Sequence, residues 1–244
     1  MQTTGNTILV TGGSSGIGMG LAERLLAAKN EVIVCARGAD RLAEVKRALP
    51  GIHTLVGDTG SAAAREALHA EVTARFPAVN VLVNNAGIQR KVSMLADEPW
   101  AETASEIAIN LEGPIHLARL FLPQLRKQAR PVIANVTSGL AFVPIAGMPV
   151  YCATKAALHS FTLSLRHQLA GKVEVIEIIP PAVRTNLGGS HDFGEPLDVY
   201  CDAVMAQLAE GRPECTYGFS AKGSQASRAE LDGIFANMNA EPRG

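Results

Sequence analysis

Short runs of β-branched and aliphatic residues alternate along most of this chain with longer stretches of helical spacing. The runs cover residues 7–10, 31–35, 53–56, 79–83, 132–136 and 173–179. The longer stretches cover 21–29, 40–49, 62–76, 100–128 and 150–169. Near-continuous Val and Ile runs predict strands covered on both faces, hence a parallel sheet. Strict alternation with helices predicts right-handed βαβ units and an α/β fold. The expected architecture is a doubly wound parallel sheet in three layers, with six or seven strands and no obvious seventh run.

Beyond Thr185 the pattern changes. Residues 186–194 are glycine-rich and polar, 197–210 read as a helix, and the tail reads as a helix over 226–238. A loop of this length after the last clear strand falls on the strand-end side where open sheets bind ligands. Residues 186–196 are therefore expected to form a substrate loop. No repeat, low-complexity segment or linker divides the chain, so residues 1–244 are expected to form a single domain.

Composition agrees with a folded enzyme-sized domain: 47% hydrophobic and 18% charged over 244 residues. A formal net charge of −1 provides no field to attract nucleic acid or an anionic membrane. No apolar run is long enough to span a bilayer. The first strand begins at Thr7, leaving no room for a signal peptide, so cytoplasmic residence is expected. Cys35, Cys152, Cys201 and Cys215 are scattered without a C-x-x-C pair, which argues against a disulfide framework and against a metal site. Cys152 is read as a packing residue.

Candidate chemistry begins at the end of the first strand, which runs into Thr11, Gly12, Gly13, Ser14, Ser15, Gly16, Ile17 and Gly18. A helix that starts here presents free N–H groups and partial positive charge to a phosphate. Gly12 and Gly16 permit a tight turn and close approach to a pyrophosphate, and Gly18 lets the helix pack on the sheet. After a strand and before a helix, this pattern predicts a dinucleotide site. The second strand ends at Ala36 and Arg37, where an acid would bind ribose hydroxyls and a cation favours a 2′-phosphate. NADP is therefore expected over NAD, with NAD possible; the other reading has Arg37 stacking on adenine or facing solvent. Asp58, after the third strand, either accepts from the adenine amino group or serves as a turn residue.

Tyr151 and Lys155 stand four apart on one face of the 150–169 helix, and Ser138 ends the fifth strand at the same sheet edge. A phenol has an ordinary pKa of about 10, so it needs a neighbouring ammonium to act as an acid/base near neutral pH. Lys155 supplies that charge, the Ser138 hydroxyl holds a substrate oxygen, and a nicotinamide carries the hydride no side chain can carry. Asn85, Ala86 and Gly87 follow the fourth strand, where small residues let a cofactor lie against backbone. Asn110 interrupts a helical stretch and either faces solvent or does polar work inside, such as holding a water that relays protons to Lys155.

Taken together, 11–18, 84–87, Asn110, Ser138, Tyr151 and Lys155 resemble the short-chain dehydrogenase/reductase family of single-domain, Rossmann-type enzymes, from the glycine loop through about Thr185. The resemblance implies Tyr151 as general acid/base, Ser138 as orienter, Lys155 as binder of the nicotinamide ribose and tuner of Tyr151, and Asn110 as part of a proton relay. It implies Gly12, Ser14, Ser15, Gly16, Ile17, Gly18, Asn85, Ala86 and Gly87 around the cofactor, with Pro181, Val183 and Thr185 beside the nicotinamide. Where the family has Pro-Gly, this chain has Pro180 and Pro181, which removes an N–H and fixes φ. The family's glycine-rich C-terminal strand is expected to be replaced by the 226–238 helix, while pairing through the fourth and fifth helices into a homodimer or homotetramer remains implied. Residues 149–169 are also similar to a bacterial subgroup named for D-alanine transfer to lipoteichoic acid, a reaction without a redox step.

The resulting expectation is an NAD(P)-dependent oxidoreductase that interconverts a small-molecule carbonyl and a secondary alcohol. A dinucleotide-binding sensor without turnover, or an epimerase or dehydratase relative, would use the same cradle. Leu140, Phe142, Val143, Ile145, Met148, Leu187 and Phe193 are expected to wall a substrate pocket that favours an apolar carbonyl. Arg90, Lys91 and Arg184 either meet an anionic group or are surface charges, and His191 is expected to contact solvent or substrate rather than a metal.

Overall fold

The computed structural model of the chain describes residues 1–189 and 193–240. Strands β1 (Thr7–Thr11), β2 (Glu31–Ala36), β3 (His53–Val56), β4 (Val81–Asn84), β5 (Val132–Val136), β6 (Glu174–Ile179) and β7 (Glu214–Thr216) form one sheet in the order β3-β2-β1-β4-β5-β6-β7. All neighbouring strands are parallel. The helices are α1 (Gly16–Ala27), α2 (Ala39–Ala48), α3 (Ala62–Arg75), α4 (Trp100–Ile107), α5 (Gly113–Leu125), α6 (Pro149–Gln168), α7 (Leu197–Ala209), α8 (Phe219–Gly223) and α9 (Arg228–Met238).

Successive strand residues face opposite sides of the sheet, and both sides are covered. Ile8 and Val10 pack with Leu21, Leu25, Val45 and Val204 from α1, α2 and α7. Leu9 packs with Val72, Leu117 and Phe121 from α3 and α5. Each such side chain taken fully from water contributes roughly 1.5–3 kcal/mol, so two continuous cores hold the three layers together.

The sheet has seven strands, within the six or seven expected, and the seventh corrects the expectation that the C-terminal helix stands in place of a strand. Glu214, Cys215 and Thr216 pair with Glu177, Ile178 and Ile179, so the C-terminal helix follows this strand and does not replace it. Three residues are too few to show a periodic pattern, which is why the run is invisible without its partner. A second correction concerns residues 100–128, which are not one helix. A π-helical turn at Ala108–Glu112 separates α4 from α5. Pro114 has no N–H to give the carbonyl four residues back, so the α-helical ladder widens here and brings Asn110 inside, fully buried.

Strand order reverses at β1, so the crevice for a ligand opens between the carboxyl ends of β1 and β4. That opening is braced. The Thr11 hydroxyl accepts the N–H groups of Asn85 and Ala86, both at 3.1 Å, and donates to the Val83 carbonyl at 3.3 Å. Asn84 donates to Asn135 at 2.9 Å, and Asn135 donates to the Thr162 hydroxyl at 2.9 Å, tying β4, β5 and α6 into one rigid unit.

Candidate active site

A cleft of about 630 Å³ lies at the switch point. Gly12, Ser14, Ser15, Gly16, Ile17 and Gly18 line one wall and Asn85, Ala86 and Gly87 line another. Gly12 holds φ at +66°, and a Cβ there would sit 2.8 Å from Cα of Ala86, so only glycine keeps this wall open. Asn85 donates to the carbonyls of Thr11 and Gly12 at 2.9 and 3.2 Å, locking the turn to β4. The N-terminus of α1 lacks a side-chain cap and has no acid in its first turn, which leaves its N–H groups for an anion. Size, donors and shape fit a dinucleotide.

Arg37 and Asp58 also line this cleft, on the β2–β3 side. Asp58 additionally accepts the Gly60 N–H at 2.9 Å, so it closes a turn while facing the site. Arg41, in the first turn of α2, lines the cleft as well. It was not among the residues expected from the sequence, because Arg37 precedes the helix cap Gly38 and no helical spacing links the two. Thr185 lines the cleft, but Pro181 and Val183 do not; both border a second cavity, and Val183 is part of the core.

Tyr151 and Lys155 come from the first two turns of α6 and are both buried, at 4% exposure each. The Lys155 ammonium lies 5.7 Å from the Tyr151 ring centre and donates to the Val136 carbonyl at 2.8 Å. Burial pushes the Tyr151 phenol above its ordinary range, and the Ser138 hydroxyl opposes that rise. Burial pulls Lys155 down to about 8, against the opposing charge of Glu106. Ser138 ends the strand edge and accepts the Leu140 N–H at 3.1 Å, which fixes its side chain. Gly87 packs against this group: a Cβ there would lie 3.3 Å from Asn110 Oδ1 and 3.7 Å from Lys155 Nζ.

Asn110 does not face the cleft. Its amide accepts the Ile88 N–H at 2.9 Å, donates to the Ile88 carbonyl at 2.8 Å and reaches the Thr154 hydroxyl at 3.3 Å. It therefore fixes the segment after β4 against α6, next to Lys155.

The second cavity, about 260 Å³, meets the cleft at Tyr151. Leu140, Ile145, Met148, Leu187 and Phe193 line it together with Ser138, and no charged side chain does so among the described residues. Phe142 lies elsewhere, edge-on to the His159 ring at a centre distance of 4.7 Å, and Val143 is fully buried in the fold. Sequence reading missed Gln89, which borders both cavities, and Phe219 and Met238, which α8 and α9 bring in from the C-terminal tail. Arg90 pairs with Glu102 at 2.5 Å and Arg184 donates to the Gly194 carbonyl at 3.1 Å, so neither lines a cavity. His191 lies outside the described residues.

The arrangement has known relatives. The family described as short chain dehydrogenase matches residues 6–194. An uncharacterized oxidoreductase of Bacillus subtilis (strain 168), DltE, is 46% identical across 99% of both chains. A cis-2,3-dihydrobiphenyl-2,3-diol dehydrogenase of Pseudomonas putida is 31% identical over 80% of this chain and 72% of its own. Among solved structures, a short chain dehydrogenase of Burkholderia cenocepacia J2315 in complex with NADP superposes with a TM-score of 0.85 at 27% identity, covering 99% of this chain and all of that one, 100%. A glycine turn, a tyrosine and a lysine recur in many folds, but here they sit at the sheet edge of a chain that this family matches over most of its length, and on that ground the chain belongs to the short-chain dehydrogenase family.

Proposed function

We propose that the protein is an NADP-preferring carbonyl reductase that interconverts a compact, uncharged carbonyl and its secondary alcohol, with NADH as a poorer cofactor. One observation carries this reading: Tyr151 borders both cavities, shares the smaller one with Ser138 and packs beside Lys155. When bound in the larger cleft, the cofactor supplies the hydride.

The chain's own residues do the rest. The Ser138 hydroxyl holds the carbonyl oxygen against Tyr151, which donates its proton to that oxygen as charge develops. The Lys155 ammonium stabilises the phenolate left behind. Asn110 holds α6 and the 88 segment in register, keeping Lys155 in the path by which the proton is replaced. Arg37 and Arg41 select the 2′-phosphate, and Asp58 faces the adenine. The apolar walls from Leu140, Met148 and Leu187 favour a ring or branched aliphatic substrate over a charged one. The dihydrodiol specificity named for the Pseudomonas relative supports an apolar ring.

Tyr151→Phe tests the mechanism. Turnover of NADPH with a panel of compact ketones is expected to vanish in that variant, while cofactor binding measured by nicotinamide fluorescence persists. Full activity of Tyr151→Phe refutes the acid/base role, and tight binding without turnover of any carbonyl in the unaltered protein favours a sensor. Met94, Leu95 and Trp100 are exposed before and at the start of α4, at 80%, 100% and 72%, and these apolar side chains support self-association as a homodimer or homotetramer. Light scattering of the purified protein tests this, and a monomer refutes it.

A further inference from the structure

Glu106 is fully buried, and nothing in the chemistry above uses it. It stands on α4 one helical turn before Asn110, on the same inward stripe. Oε1 accepts the N–H of Arg90 at 3.2 Å, while Oε2 has no hydrogen-bond partner among the described residues. A carboxyl stripped of water with one oxygen unpaired is costly, and packing alone gives no reason for it.

Its surroundings supply one. α4 packs on α6, and Asn110 reaches Thr154, the neighbour of Lys155. Among the described residues, the groups that interact with its charge are Arg90 from the segment after β4, and Tyr151, Cys152 and Lys155 from α6. Burial raises the Glu106 carboxyl above the ordinary range, and the Arg90 N–H and the charges of Arg90 and Lys155 oppose that rise. Lys155 in turn donates to the Val136 carbonyl, its one hydrogen bond among the described residues, and the charge of Glu106 opposes the fall that burial imposes on its ammonium.

We propose that Glu106 is a positioning residue that sets the acid–base profile of the Tyr151–Lys155 pair by holding a negative charge beside it. A nearby anion makes loss of a proton from either group harder, so both steps of the pair move to higher pH. Near neutral pH this keeps Lys155 charged and Tyr151 protonated, the state that delivers a proton to a carbonyl. The role rests on the reading of Tyr151 given above.

Glu106→Gln keeps an acceptor for the Arg90 N–H and removes the charge; Glu106→Met is a second charge-free variant should the first not fold. Proton loss from Lys155 is followed by NMR of its ε-methylene in lysine-labelled protein, assigned with Lys155→Arg. In the charge-free variant the midpoint is expected to fall by about one pH unit, and the alkaline limb of carbonyl reduction to fall with it. Glu106→Asp is expected to restore the wild-type midpoint. An unchanged midpoint in the charge-free variant overturns the proposal, as does an equal shift in Glu106→Asp. A shifted midpoint in a protein that reduces no carbonyl leaves this role standing and refutes the catalytic reading instead.

Discussion

Removal of the Arg37 guanidinium is the sharpest test of how the cleft chooses its cofactor. Arg37 directly follows β2, and Arg41 lies one turn into α2, so the two cations flank a helix start whose cap residue, Gly38, has no side chain to close it. A 2′-phosphate placed there meets two guanidinium groups and uncapped N–H groups; the corresponding hydroxyl of NADH meets no charge complement. A hydrogen bond to a charged group contributes about 1.5–3 kcal/mol, and each 1.4 kcal/mol is a factor of ten in affinity. Arg37→Ala is therefore expected to raise the KM for NADPH roughly 10- to 100-fold and leave that for NADH within about twofold. Because the site opens to solvent, the loss is expected to shrink as salt is added. The assay is paired KM measurement with both cofactors at fixed ionic strength, checked by direct cofactor titration so that no substrate is needed. If the NADPH-to-NADH ratio is unchanged in Arg37→Ala and also in the Arg37→Ala/Arg41→Ala double variant, the cations do not read the phosphate and the argument fails.

Two further outcomes follow from the same geometry. Gly12→Ala places a Cβ 2.8 Å from the Ala86 backbone at a φ of +66°, a conformation that costs about 1–3 kcal/mol for a non-glycine residue. It is expected to lower the melting temperature by about 2–4 °C per kcal/mol lost and to weaken cofactor binding; a wild-type melt with wild-type binding contradicts the close approach. Lys155 loses its proton near pH 8 in the folded protein and near 10.5 when unfolded, so its buried charge costs stability below that window, and the cost is relieved as pH rises through it. Lys155→Met is expected to abolish turnover yet stabilise the cofactor-free protein at neutral pH by on the order of 3 kcal/mol. That advantage should disappear by pH 10.5, and an advantage that stays constant across the window, followed by calorimetry, rules out the charge as its source.

The fold was legible because its strands are buried on both faces. Runs such as those ending at Val10 and Val136 cannot alternate with polar residues, and that density separates them from the helices even without a partner in view. Where the signal failed, pairing or backbone detail decides the structure. β7 exists because β6 offers Glu177, Ile178 and Ile179 as a template, and three residues carry no period of their own. The break at Ala108–Glu112 depends on a missing N–H at Pro114, which a hydrophobic pattern does not record.

The same division explains the site. Gly12, Ser138, Tyr151 and Lys155 each sit within a few residues of a strand end or helix start, and the switch-point geometry of a doubly wound sheet brings such ends together whatever the rest of the chain does. Local context was enough to place them. The apolar cavity is built differently: Phe219 and Met238 arrive from α8 and α9, Gln89 from the segment that Asn110 and Glu106 pin, and Phe142 turns to His159 although its neighbour Leu140 lines the wall. None of those placements follows from spacing along the chain. A buried, half-paired Glu106 was equally unreadable, since a glutamate in a helical stretch ordinarily faces water. The residues assigned to the proposed proton and hydride chemistry thus lie next to the sheet edge, whereas those assigned to substrate choice and to the proposed tuning of Tyr151 are brought in by tertiary contacts.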